Sequence, residues 1–306
     1  MAKYSFREII SLPLMGLMYL FSFLPLQVLY GISWVLSWLL RSIFRYRLDI
    51  VRENLRNSFP QKSAEELRVI EKNFYRHFSD VMMEVLKLKT ISASELKRRC
   101  SYDKASVELL NTYHQQGISI IIVMAHTGNW EWAGASYPLH NRHQIITAYR
   151  PLRNKSFDQY TRKMRMRTGN IMVSMKNLPR EMIKMRNQVF GTALIGDQTP
   201  PKNSGYWIRF MNQETPIFKG TEKLSQKFNT PLFWGCVTKR ARGYYHIELQ
   251  LITDTPRSFT QEGSLTCLHA SFLEKDIQAH PENWLWSHRR WKHQRPENVP
   301  LIDECD

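Results

Sequence analysis

His126 and Glu131, in His126-Thr127-Gly128-Asn129-Trp130-Glu131, are the residues best suited to chemistry. An imidazole with one nitrogen facing a pocket can take a proton from a hydroxyl. A carboxylate near its other nitrogen keeps that nitrogen protonated and stabilises the imidazolium that forms. The chain has no Gly-x-Ser-x-Gly elbow, so the hydroxyl activated by such a base belongs more naturally to a substrate than to the protein. It also has no His-Glu-x-x-His motif and no P-loop. His114, His140, His143 and His246 have no second ligand at useful spacing, so no metal and no nucleotide cofactor is expected. On spacing alone, a histidine and a glutamate five positions apart are a weak signal, because a loop histidine is more often structural.

The elements around this pair give it a place. Ser119 to Met124 is a short β-branched apolar run that reads as a buried parallel strand, bounded upstream by Gly117. Gly128 and Asn129 then turn the chain into a helix. Ligands of open α/β sheets bind just beyond the carboxyl ends of the strands, where His126 falls. Further apolar runs lie at Gln144–Tyr149, Ile171–Ser174, Thr192–Ile195, Tyr206–Phe210, Pro231–Val237 and Tyr244–Ile252. Helical patterns at Asn154–Arg167, Leu178–Arg186 and Thr221–Phe228 separate several of them. This alternation predicts an α/β fold with a mostly parallel sheet flanked by helices. Arg240-Ala241-Arg242-Gly243 reads as a hairpin, which makes the sheet mixed. Upstream, Ser63-Ala64-Glu65-Glu66 is a capping box before an amphipathic helix to about Leu88. More helix is expected from Ser94 to Leu110, with the sheet starting at Ile118. Glu262 to Ala279 reads as a closing helix.

The chain has 306 residues, with 43 Lys and Arg against 27 Asp and Glu, a net charge of +16 that favours anionic partners. No charged residue occurs from Ile9 to Leu40, a run longer than the roughly 20 residues that span a bilayer. Pro13 and Pro25 interrupt it, so either one kinked span or an interfacial helix pair fits. Arg41, Arg45, Arg47, Arg52 and Arg56 follow it, whereas Lys3 and Arg7 precede it. The positive-inside rule then puts the main body on the cytoplasmic side. Residues 1–47 are therefore expected to form a membrane anchor with a basic flank, and 48–306 the catalytic domain. Cys100, Cys236, Cys267 and Cys305 form no close pair, which argues against a disulfide framework and for a reducing compartment. No nucleic-acid-reading motif is present.

The motif His126–Glu131 resembles the H-x-x-x-x-D/E signature of glycerolipid-type acyltransferases. It is most similar to the HtrB/LpxL/LpxM branch, the late acyltransferases of bacterial lipid A synthesis. Other pieces follow in that family's order over nearly the whole chain: Asn54-Leu55 to Phe59-Pro60, Tyr149-Arg150-Pro151, Asp197-Gln198, Pro216 with Gly220, and Pro281-Glu282-Asn283-Trp284 to Trp291-Lys292. The resemblance implies a glycerolipid-acyltransferase-like α/β fold and acyl transfer from an acyl-carrier-protein thioester to a hydroxyl of a lipid A precursor or related glycolipid. It places the enzyme at the bacterial inner membrane. His126 would be the general base and Glu131 its orienting partner, with Asn129 helping to position the site. Arg150 would contact an anionic group of the acceptor. Asp197 and Gln198 follow the Thr192–Ile195 run and so belong to site architecture, with Arg150 a group they could hold. Backbone N–H groups after Gly128 would stabilise the oxyanion.

There are departures from the family pattern. Position 127 is Thr where the branch often has Phe, and Phe210 to Pro216 is more polar than its relatives. The alternative acceptor is therefore a lysophospholipid or an aminolipid, acylated from carrier protein or CoA. Hydrolysis by the same base is a third reading, and a basic membrane- or nucleic-acid-binding protein without activity a fourth. The basic stretch Arg150 to Arg186, densest at Arg162, Lys163, Arg165 and Arg167, is expected to meet phosphorylated headgroups or the acidic carrier protein, or else to be a solvated helix face. The block Trp284, Trp286, Arg289, Arg290, Trp291 reads either as a bilayer-surface patch or as a clasp on the body.

Overall fold

The computed structural model describes residues 6–302, with backbone alone for residues 6–11. In chain order the helices are α1 (Phe6–Ser22), α2 (Leu26–Trp38), α3 (Leu48–Ser58), α4 (Ala64–Lys87), α5 (Ala93–Arg99), α6 (Lys104–Gln115), α7 (Trp130–Ser136), α8 (Lys155–Arg165), α9 (Leu178–Lys184), α10 (Gly220–Phe228) and α11 (Ser264–Ala279). The strands are β1 (Cys100–Tyr102), β2 (Ile120–Met124), β3 (Gln144–Tyr149), β4 (Ile171–Ser174), β5 (Phe190–Ile195), β6 (Gly205–Phe210), β7 (Gln213–Phe218), β8 (Leu232–Ala241), β9 (Tyr244–Thr253) and β10 (Leu301–Ile302).

Seven strands form the main sheet in the order β1-β9-β8-β2-β5-β3-β4. Every pairing is parallel except that of β8 with β9, the hairpin through Arg242 and Gly243. The mostly parallel mixed sheet predicted from alternation is therefore present. All five residues of β2 are buried, as its unbroken apolar run requires when helices cover both faces. The two faces carry separate cores. Phe74, Trp234 and Leu265 sit on one side, and Trp132, Phe233 and Tyr245 on the other.

Three features depart from the sequence reading. The helix expected over Ser94–Leu110 is interrupted by β1, which pairs with β9 at the sheet edge. Asp103 then caps α6 by accepting from the Ser106 N–H. The Tyr206–Phe210 run does not join the main sheet. It pairs antiparallel with β7 and parallel with β10 in a second, three-stranded sheet. Cys267 is disulfide-bonded, although the cysteine spacing argued against a disulfide framework; among the described residues Cys100 and Cys236 are free thiols. Lys3 and Cys305, used in the sequence reading, lie outside the described residues.

The charge-free N-terminal run is a pair of helices broken at Pro25. The stretch Leu26–Ile43 is long and apolar enough to cross a membrane. Both helices also pack on the body. α2 lies along α4, and α1 touches α4 and α8. The Lys87 ammonium donates to the carbonyls of Ser22 and Leu24, pinning the corner between the two helices. The helices expose Leu17, Leu20, Trp34 and Trp38, and the segments after them expose Phe23 and Phe44.

Candidate active site

β2 and β5 are adjacent and parallel, with Met124 in register with Ile195. Two residues further on, His126 and Asp197 leave the sheet side by side. The Nδ1 of His126 lies 2.7 Å from Asp197 Oδ1, and the backbone N–H of His126 donates to Oδ2 at 3.1 Å. The Trp284 indole N–H donates to the same Oδ2 at 2.9 Å. Asp197 is thus buried with both oxygens engaged. Burial alone would raise its pKa, but the His126 imidazole and these hydrogen bonds outweigh it and hold the carboxyl at about 2. For His126 burial opposes the charged form, and the Asp197 carboxylate more than offsets this, so the imidazole titrates above its ordinary value.

The turn after His126 is fixed from behind. Gly128 adopts φ +55°, and a Cβ there would sit 2.7 Å from the Val237 carbonyl oxygen, so both conformation and space require glycine. Its N–H donates to the Asn283 carbonyl at 3.0 Å, and its carbonyl lies 3.1 Å from His77 Nε2. Asn129 caps α7 by accepting from the Trp132 N–H at 2.9 Å.

His126 opens on a cavity of about 630 Å³, with Asp197 buried behind it. Trp130, Tyr149, Met172, Leu178, Leu194 and Phe218 make it largely apolar, and Glu131, Arg150, Arg165, Gln198 and Lys223 give it polar groups. Leu152 and Met175 line it and are also exposed, so its rim is apolar. The Trp130 ring meets the imidazole edge-on at 5.0 Å. With Nδ1 committed to Asp197, the Nε2 of His126 is the nitrogen available to the cavity, with the Gln198 amide nitrogen 3.5 Å away. Such a site can take a proton from a hydroxyl brought in on an apolar molecule.

The residues singled out from sequence fall into different places. His126, Glu131, Arg150 and Gln198 share the cavity. Glu131, expected to orient His126, is hydrogen-bonded to Arg165 instead: the guanidinium takes its carboxylate in a two-pronged pair, with Nε at 2.7 Å from Oε2 and Nη2 on Oε1. The guanidinium engages both carboxylate oxygens, and no hydrogen bond joins Glu131 to His126. Asp197 holds His126 rather than Arg150, which is exposed at the rim. Asn129 is fully buried and faces away from the cavity, donating to Glu84 Oε2 at 2.7 Å.

The C-terminal block is a clasp. Trp284, Trp286 and Arg290 are buried, and Trp284 pairs with Thr127 across an isolated bridge. Within the basic stretch, Arg167 donates to the carbonyls of Leu88 and Ile91, and Arg162 lies over the Tyr149 ring. Much of its charge is therefore used in holding α8. Arg165, Trp284 and Glu84 are the partners that sequence reasoning missed. Trp284 stands in the terminal motif and Arg165 in the basic run Arg162–Arg167, but nothing in spacing gave their partners, and nothing marked Glu84.

Proteins of known kind resemble this chain along almost its full length. The family described as bacterial lipid A biosynthesis acyltransferase matches residues 5–293. A lipid A biosynthesis palmitoleoyltransferase of Escherichia coli K12 is 25% identical over 280 residues, covering 91% of this chain and 89% of that protein. A lipid A biosynthesis lauroyltransferase of the same organism is 24% identical over 288 residues, covering 93% and 92%. A lipid A biosynthesis acyltransferase of Shigella flexneri is 25% identical over 280 residues, covering 91% and 89%.

Proposed function

The chain belongs to the bacterial lipid A biosynthesis acyltransferase family, and on that premise we propose that it moves a fatty acyl chain from an acyl-carrier-protein thioester to a hydroxyl of a lipid A precursor or related glycolipid. The observation that carries the mechanism is the 2.7 Å contact of His126 Nδ1 with Asp197. It leaves Nε2 to accept the proton of the acceptor hydroxyl as that oxygen attacks the thioester carbonyl. Asp197 stabilises the imidazolium that results. When the tetrahedral intermediate collapses, the C–S bond breaks and the departing sulfur recovers the proton from His126. The Gly128 and Trp132 N–H groups are already taken, so other N–H groups at the start of α7 are left to meet the oxyanion. The thioester carries the activation, so no metal or other cofactor enters this scheme.

In this reading the apolar cavity receives acyl chains, and Arg150, exposed at the rim, offers positive charge to the phosphates of the acceptor or to the acidic carrier. The exposed apolar face of α1 and α2, beside α8 and hence beside the cavity wall, supports lipid delivery from a bilayer. We place the protein at the inner membrane with its body on the cytoplasmic side, where acyl carrier protein and the basic residues after Leu40 belong together.

The test is transfer from acyl carrier protein to a purified lipid A precursor by the full-length protein, with lysophospholipid, aminolipid and acyl-CoA as competing substrates. Addition of one acyl chain to the glycolipid, abolished by His126→Ala with the fold intact, is the expected result. Preferred acylation of another lipid would move the assignment to that acceptor. A fully active His126→Ala would end the mechanism.

A further inference from the structure

Glu84 of α4 is fully buried, has no cation paired with it among the described residues, and touches no part of the cavity. Its carboxylate instead accepts from three neutral donors: Tyr30 OH at 2.8 Å, Asn129 Nδ2 at 2.7 Å and Tyr245 OH at 2.7 Å. Its backbone carbonyl accepts from the Trp132 indole N–H at 2.7 Å. Two of these four partners belong to the turn and helix that follow His126. Tyr30 belongs to α2, the apolar helix, and Tyr245 to β9.

The orientation of Asn129 is fixed. Its oxygen caps the Trp132 N–H, so its amide nitrogen must face Glu84. A buried carboxylate keeps its place only while its oxygens are satisfied. Removing Tyr30 strips one donor and lets the side chain rotate or admit water, and Asn129 moves with it. The turn between Gly128 and Trp130 sets where His126 leaves β2, and a displacement of about 1 Å at a reacting group can cost roughly 100-fold.

We propose that Tyr30 and Glu84 are positioning residues for His126, so that α2 belongs to the catalytic framework and is not only an anchor. This rests on the reading of His126 as the base. The acyl-transfer geometry then depends on the one hydroxyl that α2 contributes, and the chain of contacts is Tyr30–Glu84–Asn129–turn.

The experiment uses full-length protein in detergent micelles, where recruitment to a bilayer is bypassed. Tyr30→Phe keeps the ring and removes the hydroxyl. Lys87→Met loosens the docking of the α1–α2 corner without touching the Glu84 carboxylate. For Tyr30→Phe we expect kcat to fall about 3–10-fold, the worth of one hydrogen bond, with KM for donor and acceptor unchanged. Amide exchange over residues 126–132 should quicken. Lys87→Met should match the wild type in both measurements. Wild-type kcat in Tyr30→Phe overturns the proposal whatever the exchange, and so does a Lys87→Met variant with the same losses. Absence of acyl transfer in the wild type would remove the function proposed above. The exchange comparison would still decide the strut, and unchanged exchange in Tyr30→Phe would overturn it.

Discussion

His126 and Asp197 are 71 positions apart in sequence and 2.7 Å apart in space, and strand register brings them together. β2 and β5 pair from Ile120 with Gly191 to Met124 with Ile195, and each continues two residues past its last pair. Gly196 donates its N–H to the Met124 carbonyl, keeping the chains parallel to that point. Asp197→Asn should lower kcat roughly 10²–10⁴-fold, because the amide favours the wrong tautomer of His126. It should also move the acid limb of the pH–rate profile down. The carboxylate that raises the His126 pKa most is gone, and burial, which lowers it, is left largely unopposed. A pH–rate profile of the variant checks both; an unmoved acid limb would contradict the assignment.

The same pair predicts a pH dependence of stability. The folded pKa of His126 lies above its ordinary 6.5, so its contribution is fully present below that value and is lost as pH rises through the folded pKa. The folded pKa of Asp197 lies at about 2 against 3.8, so its contribution is present above 3.8 and is lost as pH falls toward 2. The stability difference between wild type and Asp197→Asn should therefore be largest between those two ordinary values and shrink on either side. Denaturant titrations at several pH values measure it.

Glu131 and Arg165 should separate from Asp197 in such profiles. Glu131→Gln keeps one hydrogen bond to Arg165 but gives up the charge-assisted pair that fixes the guanidinium in the cavity wall. The expected loss in kcat/KM is about 10-fold, expressed mainly in KM for the lipid acceptor. The acid limb should move down by less than in Asp197→Asn, because Glu131 raises the His126 pKa less than Asp197 does. An effect as large as that of Asp197→Asn, with the limb displaced as far, would return Glu131 to the orienting role its spacing suggested.

That spacing marks the limit of what the sequence could reveal. A buried strand ending in His126 was legible because β2 is an unbroken apolar run, and the Arg242–Gly243 hairpin because of its turn residues. The ion partners were not. Glu131 lies within the first turn of α7, a helix whose direction takes its carboxylate toward α8 and Arg165. Asp197 was correctly expected at a strand end, yet only the β2–β5 register makes it the neighbour of His126. The second sheet was missed because an apolar run such as Tyr206–Phe210 carries no label of which strands it will pair with.

Gly128 offers a test of the turn. Gly128→Ala combines a positive φ with a Cβ 2.7 Å from the Val237 carbonyl. The combined strain should cost about 1–3 kcal/mol, visible as a lower Tm. Activity should fall further than the loss of folded protein explains, since the turn sets His126. Circular dichroism melts alongside single-turnover transfer separate the two effects.

Trp284 gives the most discriminating variant. Its indole N–H donates to Asp197 Oδ2, while its ring packs edge-on against Trp286 at 4.7 Å and against Phe210 at 5.9 Å. Trp284→Phe keeps an aromatic ring in this cluster and removes the donor. Asp197 then has one fewer group stabilising its charge, so its pKa should rise, and it holds His126 less firmly. A fall in kcat of about 3–10-fold is expected, the worth of one hydrogen bond, with KM for both substrates unchanged because Trp284 does not line the cavity. If KM rises instead, the clasp shapes the binding surface. If kcat is unaffected, the contacts from His126 suffice to hold Asp197 and the C-terminal block serves packing alone.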